Sequence, residues 1–121
     1  MAEYKQYITQ VQDNGNVMIS EEVVATIVEH AICEVDGISG LSMKPGADIA
    51  DLIGKNWGKG MKIFIANNNE LTIDCNVIVA YGYSVIDVAK NAQQAVTSAV
   101  ESMTGIEVKG VNINICGIAR Q

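Results

Sequence analysis

His30 and Cys33 are the two side chains whose types and spacing first suggest chemistry. Three residues apart on a helix, they are surface neighbours. An imidazole beside a thiol is half of a zinc site, or the start of a thiol nucleophile. The residue counts oppose both uses. Zinc takes four protein ligands, or three and a water. His30 is the only histidine in the 121 residues, and Cys75 and Cys116 lie far along the chain. A nucleophilic thiol needs cationic surroundings, whereas Glu29 and Glu34 flank Cys33. His30 and Cys33 therefore stand only as weak metal candidates, and no catalytic residue, cofactor or bound metal is expected. Cys75 shares the parity of Leu71, Ile73 and Val77 and reads as a small core hydrophobe. Cys116 shares the parity of Asn112 and Asn114 and reads as part-exposed. Three widely spaced cysteines fit a reducing compartment, not a disulfide framework.

The second candidate is Gly54-Lys55-Asn56-Trp57-Gly58-Lys59-Gly60. A phosphate-binding loop needs four residues between its first glycine and the Gly-Lys pair, followed by Ser or Thr. Here three intervene and Gly60 follows. A basic, glycine-rich loop carrying the only tryptophan is the better account. An aromatic on such a loop either tucks onto the core or anchors a partner. Trp57, with Lys55 and Lys59 beside it, is the interaction candidate.

The elements that must position these residues follow from hydrophobic periodicity. Residues 1–14 are polar and read as a flexible N-terminal tail. Gly15 to Ile19 forms a short strand. Ser20 caps a helix from about Glu21 to Val35, with Glu21 and Glu22 in the first turn, where the helix dipole favours negative charge. Val23, Val24, Ile27, Val28, Ala31, Ile32 and Val35 form its apolar face, and Asp36-Gly37 suits its C-terminal cap. A short strand, 38–42, precedes a linker over 43–60. Two strands, 61–66 and 71–81, flank an Asn67-Asn68-Asn69-Glu70 turn. Leu71, Ile73, Cys75, Val77, Val79 and Tyr81 share one face of the second, with Thr72, Asp74 and Asn76 on a wet opposite face. Ser84 and Asp87 match a capping box for a second helix reaching Met103, whose buried stripe is Val85, Val88, Ala89, Ala92, Val96, Ala99, Val100 and Met103. Gly105 closes it, and 107–118 is the last strand.

The order β-α-β-β-β-α-β predicts an α+β type of α/β domain in two layers. One mixed sheet of four to five strands carries both amphipathic helices on one face. Residues 15–118 form the single domain, between the tail and a short 119–121 C-terminal tail. The strand order does not follow from the sequence.

Composition limits the function classes. Net charge is −6 and the pI about 4.6, which opposes nucleic-acid binding and direct adsorption to an anionic bilayer. No apolar stretch is long enough to span a membrane, and Met1 to Gln6 shows no secretory signal pattern. A cytoplasmic protein is expected.

Two long stretches carry a resemblance. One is Gly15-Asn16-Val17-Met18-Ile19-Ser20-Glu21-Glu22-Val23-Val24-Ala25. The other runs from Tyr81-Gly82-Tyr83 through Asp87-Val88-Ala89 and Glu101-Ser102-Met103-Thr104-Gly105-Ile106-Glu107-Val108 to Val111-Asn112-Ile113. Between them stand Ala50-Asp51-Leu52-Ile53-Gly54-Lys55 and Gly58-Lys59-Gly60-Met61-Lys62-Ile63. Together they resemble the alkaline-shock and general-stress protein family of bacterial envelope stress response proteins, with Met103-Thr104-Gly105 the most telling piece. The resemblance implies a non-enzymatic protein that acts by protein–protein contact and self-association, in some members held at the membrane by a small anchor protein. It supplies no catalytic residues. A small RNA-binding module, or a metal- or thiol-binding module, is the alternative.

Overall fold

The computed structural model describes residues 4–5, 7–42, 60–66 and 70–120. In chain order the elements are β1 (Tyr4–Lys5), β2 (Tyr7–Gln12), β3 (Gly15–Ser20), α1 (Glu21–Cys33), β4 (Ile38–Leu41), β5 (Met61–Ala66), β6 (Leu71–Ala80), α2 (Val85–Thr104) and β7 (Val108–Ala119). Among the described residues the strands form a five-stranded mixed sheet and a separate hairpin of β2 and β3. The α+β class and the two-helix, mixed-sheet layout agree with the sequence reading.

Strand β6 is the axis of the main sheet. On one side β7 runs parallel to it along its length, the pair being joined by the α2 crossover. The other side is shared. β5 pairs antiparallel with Leu71–Cys75, and β4 pairs antiparallel with Val77–Val79. The two meet opposite Asn76, whose carbonyl accepts from the Ser42 N–H at 2.9 Å and whose N–H donates to the Gly60 carbonyl at 2.8 Å. The chain thus leaves this edge after Ser42 and rejoins it at Gly60. β1 extends the sheet beyond β5.

Both helices begin and end as local chemistry dictates. The Ser20 hydroxyl accepts from the Val23 N–H at 3.3 Å, and the Ser84 hydroxyl accepts from the Asp87 N–H at 3.4 Å. Gly105 ends α2 in the left-handed conformation, φ +72°, and its N–H reaches the Glu101 carbonyl. α1 ends earlier than its periodicity suggests, at Cys33. From Glu34 onward the N–H groups bond three residues back instead of four (Glu34 to Ala31, Val35 to Ile32), which tightens the last turn. Gly37 turns the chain at φ +95°. A Cβ there would lie 2.7 Å from Tyr83 Cδ2 and 2.8 Å from Val88 Cγ2, so glycine is required for both conformation and space.

The core lies between the helices and the main sheet. Val24, Val28 and Ile32 of α1 and Val88, Ala92, Val96 and Val100 of α2 pack on Met61, Ile63, Ile65, Leu71, Ile73, Cys75, Val77 and Val79. Burial pushes the Cys75 thiol up to about 12, helped by the neighbouring Asp74 carboxylate, so it stays a neutral core group.

Four expectations need correction. Residues 1–14 are not simply a tail: they contain β1 and β2, and Ile8 is 0% exposed within the core cluster. The alternation Tyr7, Thr9, Val11 against Ile8, Gln10, Gln12 is strand-like, but its glutamines masked the signal. Val23 and Met103, placed on buried helical stripes, are exposed, because each sits at the solvent end of its stripe. Tyr81 belongs to the turn after β6 and is exposed. Asn76, expected on a wet face, is 1% exposed. Its Oδ1 accepts from Asn114 Nδ2 at 3.1 Å, while its own Nδ2 has no partner among the described residues.

Candidate functional site

The sequence-derived candidates separate in the structure. His30 and Cys33 are both exposed on α1. Among the described residues no group of three or more His, Cys, Asp or Glu side chains is arranged to hold a metal ion. Trp57, Lys55 and Lys59 lie outside the described residues, as does the Asn67-Asn68-Asn69 turn. Cys116 is half-buried, with its Sγ 3.7 Å from the Asn114 carbonyl.

Two surfaces stand out instead. The first is a groove of about 800 Å³ between α1 and α2. Thr26, Ile27, His30, Ala31, Glu34 and Val35 form one wall. The other is built by Ala95, Ser98, Ala99, Ser102 and Met103. The α2 wall repeats small residues at three- and four-residue intervals, so they share one helical face. Small side chains leave a depression where larger ones would close the helix pair. At its end the Met103 side chain is 71% exposed. The signal in the sequence was the Ala/Ser run of α2.

The second surface is the β2–β3 hairpin. Its register pairs Ile8 with Ile19 and Gln10 with Val17 on one face, which Ile8 anchors in the core while Val17 stays exposed. Gln10 fastens the hairpin there, its Nε2 donating to the Thr104 carbonyl at 3.1 Å. Tyr7, Thr9 and Val11, opposite Ser20, Met18 and Asn16, form the other face. Val11 is 82% and Met18 60% exposed, and Tyr7 is exposed beside them. From residue 7 to residue 20 the only charged side chain is Asp13.

Thr104 links the hairpin to the helices and the last strand. Its hydroxyl donates to the Val100 carbonyl at 2.6 Å and accepts from the Ile106 N–H at 3.1 Å, while the Glu101 carboxylate accepts from the Val108 N–H. The Met103-Thr104-Gly105 segment is therefore the junction where α2 ends, β7 begins and the hairpin docks. On the opposite face of the sheet, Asn112 Nδ2 donates to Asp74 Oδ1 at 2.6 Å beside the Asn114–Asn76 pair. These polar ladders bridge β6 and β7.

This junction lies within the region that a family model matches, residues 9–120. The chain belongs to the ASP23 family, described by a cell envelope-related function. Similar proteins include YqhY of Bacillus subtilis, 33% identical over 105 residues, a match covering 86% of this chain and 77% of YqhY. Spy1535 of Streptococcus pyogenes is 32% identical over 107 residues, covering 88% and 81% of the two chains. YloU of Bacillus subtilis is 30% identical over 107 residues, covering 86% and 88%. The family confirms the alkaline-shock resemblance. The match begins at residue 9, within the segment expected to be a tail. Among solved structures, a MamM CTD variant superposes with a TM-score of 0.50 at 14% identity, covering 84% of this chain and 98% of that one. That likeness concerns the fold alone. Among the described residues no helix of this ASP23-family chain is long and apolar enough to cross a membrane.

Proposed function

We propose that this chain is a non-enzymatic protein of the alkaline and general envelope stress response, working by self-association and protein–protein contact. It would reach the membrane from the cytoplasm through a small anchor protein instead of spanning the bilayer. The observation that carries the reading is the exposure of Tyr7, Val11 and Met18 on the uncharged outer face of the β2–β3 hairpin. A two-stranded hairpin alone is marginally stable in water, and exposed apolar side chains on such an element mark a contact surface. The near absence of charge matters here. Two copies of a chain with net charge −6 repel each other, and they do so least where they meet through a surface whose only charge is Asp13. Two hairpins brought together in this way make a self-complementary, isologous contact.

Sedimentation velocity over a concentration series tests this, comparing wild type with Val11→Glu and Met18→Glu. Both residues are exposed, so the substitutions leave folding stability within about 0.5 kcal/mol. Wild type is expected to associate, and each variant to shift toward monomer. A monomer at every concentration, or association unchanged in both variants, would reject the hairpin as the surface. Co-purification from the envelope fraction of the native bacterium then addresses the anchor, with an anchor-free wild type as the contrary result.

A further inference from the structure

We propose that the free edge of β7 is a second self-pairing surface, on which two copies of the chain add their β7 strands antiparallel to each other about Ile113. Among the described residues β7 pairs only with β6. The direction of its backbone groups follows from β6. Asn76 turns its own N–H and carbonyl to Gly60 and Ser42, on the β4–β5 side, so the odd-numbered residues of β6 face β7. In a parallel ladder such a residue bonds to the two neighbours of its partner, and the partner points its own N–H and carbonyl away. The partners of Leu71, Ile73, Cys75, Val77 and Val79 are Val108, Val111, Ile113, Ile115 and Ile118. These five therefore form the open edge. Two of their polar groups are held by side chains, as befits groups that no strand reaches: Glu101 accepts from the Val108 N–H, and Gln93 donates to the Val111 carbonyl at 3.0 Å. That carbonyl keeps a second lone pair.

Spacing selects the occupant. The register shifts between Val108 and Gly110 and again between Ile115 and Gly117, which interrupts the period of two. The open residues Val108, Val111, Ile113, Ile115 and Ile118 thus have the same spacing read from either end. A second β7 laid antiparallel sets Ile113 against Ile113, Val111 against Ile115 and Val108 against Ile118, with outward backbone meeting outward backbone at every pair. A regular strand, lacking the two irregularities, would match only the middle three. Every pair is β-branched on both sides, which favours cross-strand packing. Edges that stay single are commonly guarded by charge, but no charged side chain lies between Gly110 and Ala119. Charge stands only at the ends, where Glu107 of one copy falls beside Arg120 of the other, so the two chains attract there despite their net charge of −6. The contact uses no residue of the β2–β3 hairpin.

The test starts from the full-length double variant Val11→Glu with Met18→Glu, which removes the hairpin contact. Sedimentation velocity should show it reaching dimer mass as its concentration rises. Ile113→Pro in that background deletes an N–H that points away from β6, so the monomer keeps its own ladder. It should weaken the dimer tenfold or more, with circular dichroism confirming an intact fold. Hydrogen exchange followed by NMR on the double variant gives a readout that needs no change in β7. The Ile113 and Ile115 amides should exchange at least tenfold more slowly at concentrations where the dimer forms. The Asn112 and Asn114 amides, which face β6, should be protected throughout. A monomer at every concentration overturns the proposal. So does a dimer indifferent to Ile113→Pro, or exchange at Ile113 and Ile115 that ignores concentration. The hairpin reading stands or falls separately, on whether the double variant sediments as a lighter species than wild type.

Discussion

Replacing Ile8 with alanine separates a packed N-terminal strand from a loose tail. The Ile8 side chain is fully buried in the core cluster. The change deletes three carbons. At about 0.8 kcal/mol per buried carbon, the lost transfer term is roughly 2.4 kcal/mol. A cavity in a close-packed interior adds to it, so the expected destabilisation is about 3 kcal/mol, within the usual range of about 2–5 for such truncations. At this chain length 1 kcal/mol corresponds to about 4 °C, so the midpoint should fall by about 12 °C. Urea titration followed by circular dichroism gives the free energy, and a thermal scan gives the shift. Val11→Ala on the same strand is the control. Val11 projects into solvent, and its truncation should cost less than about 0.5 kcal/mol. If Ile8→Ala costs no more than Val11→Ala, the segment does not contribute to the core and the packing argument fails. A low cost would also remove the platform from which the hairpin presents Tyr7, Val11 and Met18.

Gly37→Ala should destabilise by about 2 kcal/mol or more, against about 1 kcal/mol for Gly105→Ala. Both break a left-handed conformation, but only the Gly37 Cβ collides with Tyr83 and Val88, whereas Gly105 has nothing closer than Gln10 Nε2 at 3.6 Å; denaturation midpoints decide, and equal costs would refute the steric part. Cys75 makes stability fall at alkaline pH. Its folded value of about 12 lies above the ordinary 9.0, so the unfolded chain releases the proton first. The contribution is intact below pH 9 and is lost at about 1.4 kcal/mol per pH unit between 9 and 12. Urea titrations from pH 8 to 11 should show a shallower decline for Cys75→Val than for wild type, and parallel declines would contradict the assignment.

Much of the fold was legible because it is written at short range. Ser20 and Ser84 cap because a hydroxyl reaches an N–H three residues ahead. Gly105 ends α2 because only glycine enters the left-handed region without penalty. Val88, Ala92, Val96 and Val100 recur at the helical period. Leu71, Ile73, Cys75 and Val77 alternate at the strand period. Local geometry alone determines such features, so the α+β class and the two amphipathic helices follow from the chain read in order. The candidate site was less legible. His30 was singled out for its chemistry, yet its place in the structure is the wall of a groove, set by how α1 lies beside α2.

Long-range contacts decided the rest. β6 takes β7 on one side and both β4 and β5 on the other, a sharing that depends on pairings up to about forty residues apart in the chain, where loop closure and not local propensity selects the partner. Ile8 became core only because the hairpin folds back and Gln10 finds the Thr104 carbonyl. Asn76 is buried at a position of β6 whose side chain meets Asn114 of β7, 38 residues along the chain. By itself the sequence determined which residues form helices and strands and which of their faces are apolar, since periodicity and capping act within a few residues. Only the tertiary structure decided which apolar faces are covered, and therefore that Ile8 and Val96 are buried while Val11, Met18 and Met103 stay exposed.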